Sequence, residues 1–182
     1  MQVDYAGIGD RMPSPETPDD STIKAYGALA FLALRSATHR QMTVEALRIR
    51  LQPPLDWGLY HIFRDSGGVP RAALTWAWLG EAAEDQLLRG QPLRPRDWRS
   101  GDSFWVIDLL APYGQGSGAA ALHWLRHSLP PTIPQVSCLS PGGRRNRPSR
   151  QITCLRQPGG GWSLRQIPLP SPRQRRARRQ LH

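Results

Sequence analysis

The stretch SFWVIDLLAPYGQGSGAAALHWLRHSL, residues 103–129, decides the fold of this chain of 182 residues. Its first part, SFWVIDLLAP (103–112), is aromatic and β-branched and ends at a proline, which predicts a strand. The glycine loop YGQGSG follows, and AAALHWLRHSL then predicts a helix that stops before Pro130 and Pro131. A strand that leads through a glycine loop into a helix is typical of α/β domains, and the free amides at the start of such a helix can hold a phosphate.

The segments on either side extend this α/β pattern. Upstream, the apolar run from Tyr26 to about Leu34 predicts a helix. VEAL, with Thr43 as a possible cap, predicts a second helix over 42–47. The next run, RIRLQPPLDWG, is expected to alternate between strand-like runs and turns. GLYHIFR (58–64) and RAALTWAWL (71–79), joined by DSGGVP, predict an antiparallel hairpin. EAAEDQLLRG predicts a short helix or turn, and QVSCL and RQITCLR predict two short strands. We therefore expect an α/β domain with a mixed sheet.

The net charge of +10 is distributed unevenly along the chain. Residues 1–108 carry 12 basic and 14 acidic side chains, whereas residues 109–182 carry 12 arginines and no acidic residue. A basic half of this kind attracts acidic partners, which could be nucleic acid, anionic lipid or an acidic protein. The tail RQRRARR has no interleaved aromatic residues and no nucleic-acid-binding fold is visible, so we do not expect nucleic acid to be the partner.

Other features narrow the class of protein. Cys138 and Cys154 form neither a disulfide framework nor a metal motif, so we expect no metal site and two reduced core thiols. The N-terminus lacks the basic start and apolar run of a secretory signal. The apolar run ALAFLAL is far shorter than the roughly 20 residues of a membrane helix. These observations predict a cytoplasmic chain with no membrane span.

Three blocks of sequence resemble one family. The block at 97–114 contains Asp97, Trp98, Ser100, Gly101, Asp102, Trp105, Ile107, Asp108, Ala111, Pro112 and Gly114. It resembles the signature D-W-x-S-G-D-x-x-W-x-I-D-x-x-A-P-F-G of the toxin-activating lysine acyltransferases, the hemolysin-activating proteins of RTX toxin operons. RSATHR resembles the S-x-x-H-R of that family and supplies Ser36, His39 and Arg40, and GVPRAALTWAWL is similar to its V-P-V-A-Y-C-S-W-A. The blocks follow the order of the family over about residues 25–157.

The resemblance implies a GNAT-like fold with a mixed, mostly antiparallel sheet flanked by helices in a single domain. It places the acyltransferase domain at 25–157, and the composition on either side predicts a disordered segment at 1–24 and a Pro/Arg-rich flexible tail at 158–182. It also implies transfer of a fatty acyl group from acyl carrier protein to internal lysines of an RTX protoxin, without a further cofactor. Homodimers occur in the family, so a homodimer is one possible assembly of this chain.

The catalytic pair of the family maps onto His39 and Asp108. A lysine amine with a pKa near 10.4 must lose a proton before or during its attack on a thioester, and histidine is the side chain best suited to accept that proton. Asp108 would orient the imidazole or hold the incoming ammonium group, while Ser36 and Arg40 would support it. An acyl-serine intermediate on Ser36 is the less favoured route.

The loop before the second half of the chain is the predicted acyl-donor site. QGSGAA fits the Q-x-x-G-x-A pattern with which GNAT-type enzymes hold the pyrophosphate of acyl-CoA, and this nominates Gly114, Gln115, Gly116 and Gly118. The arginines of the basic half would dock acidic acyl carrier protein. Two alternatives stay open: a GNAT-type N-acyltransferase that uses acyl-CoA, and an inactive basic binding module.

Overall fold

The computed structural model describes residues 18–114, 116–140 and 150–169, with helices and strands that alternate in the first part and strands at the end. The helices of these residues are α1 (Asp20–Arg35), α2 (Val44–Asp56), α3 (Glu81–Leu88) and α4 (Ser117–Ser128), with a short 3-10 helix at Pro95–Trp98. The strands are β1 (Tyr60–Arg64), β2 (Pro70–Leu79), β3 (Ser103–Leu110), β4 (Gln135–Ser140), β5 (Arg150–Arg156) and β6 (Trp162–Pro168).

The strands form one sheet in the order β1-β2-β3-β4-β5-β6. β1 and β2 are an antiparallel hairpin, as predicted, with Tyr60 opposite Thr75. β3 and β4 run parallel, because α4 lies between them in the chain and returns the chain to the end of the sheet at which β3 begins. β4, β5 and β6 form an antiparallel meander. The prediction of a mixed, mostly antiparallel sheet with helices is confirmed.

The chain divides into two units, of which the first contains the candidate site. It comprises the described part of Met1–Ala77 together with Ile107–Pro130. Its core joins α1 and α2 to one residue each from β2 and β3, and the buried members are Ala25, Leu29, Leu32, Ala33, Leu51, Leu55, Ala73 and Leu110. Asp19 caps α1 and Thr43 caps α2 by accepting hydrogen bonds from backbone amides, as the sequence predicts for Thr43.

The second unit comprises Trp78–Val106 and the described part of Pro131–His182, and it holds much of the block at 97–114. Ser100 Oγ accepts from the amide of Gly80 and donates to the carbonyl oxygen of Asp97. A Cβ on Gly101 would lie 2.5 Å from the Cα of Gly80, so only glycine fits this approach of two backbones. Several residues of the signature therefore serve the local fold of this unit.

Three boundaries differ from the prediction. α1 begins at Asp20, so the last residues of the segment 1–24 are helical. The prediction for 42–56 was wrong, because α2 continues beyond residue 47 through Pro53 and Pro54 to Asp56. The expectation of a flexible tail from 158 was wrong for β6, since these residues pair along the whole length of β5. The predicted disorder of 1–17 and the tail from 170 lie outside the described residues.

No helix among the described residues has the length and apolarity to cross a membrane. In the same residues, Cys138 and Cys154 carry free thiols. Burial raises the pKa of Cys138 to about 11, which keeps this thiol protonated near neutral pH. Cys138 therefore lacks the character of a reactive thiolate.

Candidate active site

A turn at the end of α1 brings two of the predicted residues together. Ser36 is the C-cap of α1, and its carbonyl oxygen accepts from the amide of Arg40 at 3.0 Å, which closes one further turn. This turn directs the ring of His39 back, so that its Nδ1 lies 2.8 Å from Ser36 Oγ. The spacing of three residues thus places both side chains on one side of the turn, as the sequence indicates.

Asp108 reaches the same imidazole from a position 69 residues further along the chain. It lies on β3 two residues before Leu110, and alternate strand residues share a face, so it points to the side that packs on α1 and α2. Asp108 Oδ1 lies 3.1 Å from His39 Nε2. The two side chains are buried, with 4% exposure for His39 and 6% for Asp108, and Ser36 is 9% exposed.

A further group, which the sequence did not indicate, completes the cluster. Arg50 lies on α2 and donates from Nε to Asp108 Oδ2 over 2.6 Å. Its side chain remains 42% exposed, so the guanidinium reaches a buried carboxylate from the surface. Both oxygens of Asp108 therefore have a hydrogen-bond partner, one from α2 and one from the turn behind α1.

The electrostatic balance keeps Asp108 ionised. Burial by itself raises the pKa of Asp108, but the hydrogen bond from His39 and the charge and hydrogen bond of Arg50 outweigh burial and hold that pKa below its ordinary value. Partial burial likewise acts to lower the pKa of Arg50, and the nearby carboxylate outweighs it, so that the pKa of Arg50 is raised. At neutral pH the site therefore contains a fixed anion and cation beside one imidazole.

An ionised Asp108 determines the tautomer of His39. A carboxylate only accepts hydrogen bonds, so His39 Nε2 must carry the hydrogen and donate it to Oδ1. In the neutral ring the lone pair then lies on Nδ1 and accepts from the hydroxyl of Ser36. The basic atom of the site is therefore Nδ1, and its partner is a serine oxygen.

Three of the four residues predicted for the catalytic cluster come together in the structure. Ser36, His39 and Asp108 form one chain of hydrogen bonds. The side chain of Arg40 is exposed and lies outside that chain, although the Arg40 amide closes the turn. The contribution of Arg40 to the cluster is therefore made by its backbone.

The predicted donor loop follows β3 and leads into α4. Gly114 and Gly116 have left-handed φ values of 64° and 80°. Gly116 is the N-cap of α4 without a side-chain cap, and Gly118 lies in the first turn of α4. Gln115 lies outside the described residues.

Arg50 is the site residue that the sequence analysis missed. A signal was present, because the helix that continues through residue 56 places Arg50 beside Leu51 and one turn before Pro54, which are buried. An arginine that borders the buried face of a helix needs an acidic partner. The full length of α2 would have been required to recognise this position.

These observations describe a protein with a buried Ser-His-Asp chain of hydrogen bonds in a unit of helices and sheet. A sequence profile described as HlyC, the RTX toxin acyltransferase family, matches residues 19–146. The chain belongs to the RTX toxin acyltransferase family. The matched range contains all four residues of the cluster, Ser36, His39, Arg50 and Asp108.

Three curated relatives are lysine acyltransferases by name. The lysine-acyltransferase RtxC of Vibrio cholerae serotype O1 is 32% identical over 91 residues, which cover 50% of this chain and 60% of that protein. The leukotoxin-activating lysine-acyltransferase LktC serotype A1 of Mannheimia haemolytica is 30% identical over 53% of this chain and 58% of its own length. The protein-lysine palmitoyltransferase CyaC of Bordetella bronchiseptica is 28% identical over 72% of this chain and 70% of its own length. The chain thus spans about 60% of the length of the first two relatives.

Among solved structures, the chain is similar to a GNAT-like decarboxylase, GphF, in complex with isobutyryl-CoA. The TM-score is 0.47 at 19% identity, over 68% of this chain and 65% of the other.

Proposed function

We propose that this chain is a protein-lysine acyltransferase that transfers a fatty acyl group from acyl carrier protein to internal lysines of an RTX protoxin. The observation that carries the proposal is the buried chain of hydrogen bonds from Ser36 through His39 to Asp108. Membership of the RTX toxin acyltransferase family and the names of the relatives, which are lysine acyltransferases, support the reaction class.

In this proposal His39 is the general base and acts through Nδ1. The imidazole is 4% exposed and both of its nitrogens have partners, so a substrate reaches the basic nitrogen through the Ser36 hydroxyl that already lies against it. As the lysine amine attacks the thioester carbonyl, its proton passes to Ser36 Oγ while the hydroxyl proton passes to Nδ1. Asp108 stabilises the imidazolium that forms at 3.1 Å from its Oδ1.

This single displacement forms one bond and breaks one bond. The bond from lysine nitrogen to the acyl carbon forms, and the bond from that carbon to sulfur breaks. The proton held at His39 returns to the departing thiolate, which leaves as the free thiol of the carrier. The alternative is attack of Ser36 Oγ on the thioester with an ester intermediate, which the same hydrogen bond permits.

The choice of acyl carrier protein as the acyl donor rests on the charge of the chain and on the loop before α4. The surplus of 12 arginines in residues 109–182 suits a strongly acidic protein partner. Gly116 begins α4 in a left-handed conformation and without a side-chain cap, and the first amides of a helix are suited to receive the phosphate of a phosphopantetheine arm. We propose a cytoplasmic site of action for this chain.

The experiment uses the full chain with a co-expressed RTX protoxin, and mass spectrometry of the protoxin lysines measures acylation. His39→Ala should reduce acylation by about 10²-fold or more, because a positioned base contributes about 10²–10⁴-fold. His123→Ala is the matched control, since His123 is an exposed histidine on α4. Unchanged acylation by the His39→Ala variant would remove His39 from the mechanism.

The donor is tested separately with purified components. Acyl carrier protein and coenzyme A are loaded with the same acyl chains, over a range of lengths, and the initial rates of lysine acylation are compared. We expect the carrier-protein thioester to be preferred and the preference to weaken with added salt, because screening reduces the attraction between opposite charges. Equal or better use of the coenzyme A thioester would contradict the carrier-protein assignment.

A further inference from the structure

Arg50 is the cationic group of the site that no sequence motif indicated. It lies midway along α2, at a helical position that is neither fully exposed nor buried. From there its Nε donates to Oδ2 of Asp108 at 2.6 Å, while Oδ1 of the same carboxylate faces His39 at 3.1 Å. The arginine therefore acts on the imidazole through the carboxylate that both share.

We propose that Arg50 is a positioning residue of the acyltransferase site, which keeps Asp108 ionised and rotationally fixed so that His39 holds its hydrogen on Nε2 and presents Nδ1 as the base. The argument begins with charge. A carboxylate that is 6% exposed has lost most of its hydration, and such a group is retained as an anion only when charged or hydrogen-bonding partners compensate. Arg50 supplies a full opposite charge, and His39 supplies a donor.

The orientation of the carboxylate is the second step. Rotation about the terminal torsion of an aspartate is broad, so one hydrogen bond leaves the group free to swing. With Oδ2 held by Arg50, Oδ1 is held at the position that meets His39 Nε2. In the described residues, His39 and Arg50 are the titratable groups that act on Asp108, and Ser36 is the remaining polar partner of the ring.

An ordinary helix-surface arginine provides the comparison. Arg48, two residues earlier on α2, donates from Nε to Gln52 at 3.0 Å on the exposed surface, which is a local pair between residues four apart. Pairs of this kind on an exposed helix surface contribute little to stability. Arg50 differs, because its partner is buried and the other oxygen of that partner contacts the base.

Loss of the guanidinium has a defined chemical consequence. Without Arg50 the buried carboxylate is protonated more readily, since burial then opposes ionisation with less compensation. A protonated Asp108 can donate to Nε2, and the neutral ring then carries its hydrogen on Nδ1. In that state the lone pair faces Asp108, and the nitrogen next to Ser36 can no longer accept a proton.

The test compares Arg50→Gln, which keeps a donor but removes the charge, with Arg50→Lys, which keeps the charge. Arg48→Gln is the matched control on the same helix. Two readouts are taken on the full chain: the pH dependence of kcat and KM for acyl transfer, and nitrogen NMR of histidine-labelled protein without substrate, which distinguishes the protonated ring nitrogen from the unprotonated one. Circular dichroism and thermal melting check the fold of each variant.

For Arg50→Gln we expect kcat at neutral pH to fall by about 10-fold or more, with little change in KM. The comparison is with metal sites, where removal of a group that orients a liganding histidine or carboxylate typically costs about 10–100-fold. The acid limb of the pH profile should move to higher pH, and the Nε2 hydrogen should be replaced by a mixture of tautomers. Arg50→Lys should restore most of both readouts. The Arg48→Gln variant should behave as wild type.

The two readouts separate this inference from the proposed function on which its kinetic part rests. Identical tautomers and identical pH profiles in wild type and Arg50→Gln would overturn the positioning role. A wild-type chain that acylates no lysine, together with a tautomer that changes in Arg50→Gln and returns in Arg50→Lys, would refute the proposed function and support the positioning role. If Arg50→Gln fails to fold, Arg50→Met takes its place, since it also removes the charge. A disturbed tautomer or pH profile in folded Arg50→Met supports the role, and a wild-type response in that variant overturns it.

Discussion

Replacement of Asp108 by asparagine tests the electrostatic core of the site with almost no change in volume. The Asp108→Asn variant keeps a side-chain oxygen that can accept the hydrogen bond from His39 Nε2. It removes the negative charge that both His39 and Arg50 now face. Because this charge matters most once the imidazole becomes a cation, the loss should fall on kcat rather than on KM.

The size of the effect follows from the distance between His39 Nε2 and Asp108 Oδ1. At 3.1 Å and an effective dielectric constant of about 20, opposite unit charges attract by about 5 kcal/mol. Arg50 repels the same imidazolium from the far side of the carboxylate and cancels part of this attraction. A net loss of about 3–4 kcal/mol corresponds to a fall in kcat of about 10²–10³-fold, since about 1.4 kcal/mol equals a factor of ten.

The assay is the initial rate of lysine acylation with saturating acyl donor, with thermal melting measured in parallel. Asp102→Asn is the matched control, because Asp102 lies in the exposed turn before β3 and is outside the cluster. Asp108→Asn should melt below wild type at neutral pH, because the stabilising carboxylate charge is lost, and it should remain folded at the assay temperature, since the half-exposed Arg50 can turn into solvent. A rate within about threefold of wild type, or an equal loss in Asp102→Asn, would refute the electrostatic reasoning.

Three further predictions concern the relay, the pH dependence of stability and the fold. Ser36→Ala should slow lysine acylation by about 10²-fold, because the proton loses its path to the base, and a wild-type rate would exclude a relay. The folded pKa of Asp108 lies below its unfolded value of about 3.9, so the contribution of Asp108 to the free energy of unfolding is present above that pH and is lost as the pH falls through the folded pKa. Unfolding followed by circular dichroism at decreasing pH should therefore show that the difference in stability between wild type and Asp108→Asn becomes smaller. Gly101→Ala should lower the free energy of unfolding by about 3 kcal/mol, since its Cβ would meet the backbone of Gly80 at 2.5 Å, whereas Gly159→Ala, with open space around it, should change denaturant midpoints little.

The elements that the sequence analysis found are those whose local pattern agrees with their environment. The β1–β2 hairpin and β3 were predicted because their apolar residues have strand character and their turns carry glycine or proline. The length of α2 was underestimated, because Pro53 and Pro54 are strong helix breakers in general and yet occupy its last turn here. β6 was missed because its side chains are mostly exposed, so the strand has no apolar face to give a period of two.

The site was predictable to the extent that it is local. Ser36 and His39 are three residues apart at a helix end, so their proximity follows from the chain geometry. The pairing of His39 with Asp108 spans 69 positions, and nothing in composition or spacing encodes that contact; it came from the resemblance to a family. Arg50 was missed together with the second half of α2, since a residue assigned to strand-like runs and turns has no helical face from which its burial can be inferred.

The unequal sequence separations within the site have a consequence for how the first unit assembles. The serine and the ring can meet as soon as one short turn closes, whereas the carboxylate arrives only after a long loop has been closed, at a larger entropic cost. Proteins whose contacts join distant positions fold more slowly than those with local contacts. The preference of the ring hydrogen for Nε2 of His39 would therefore arise late in folding, and a time-resolved measurement of that preference would report when β3 has docked.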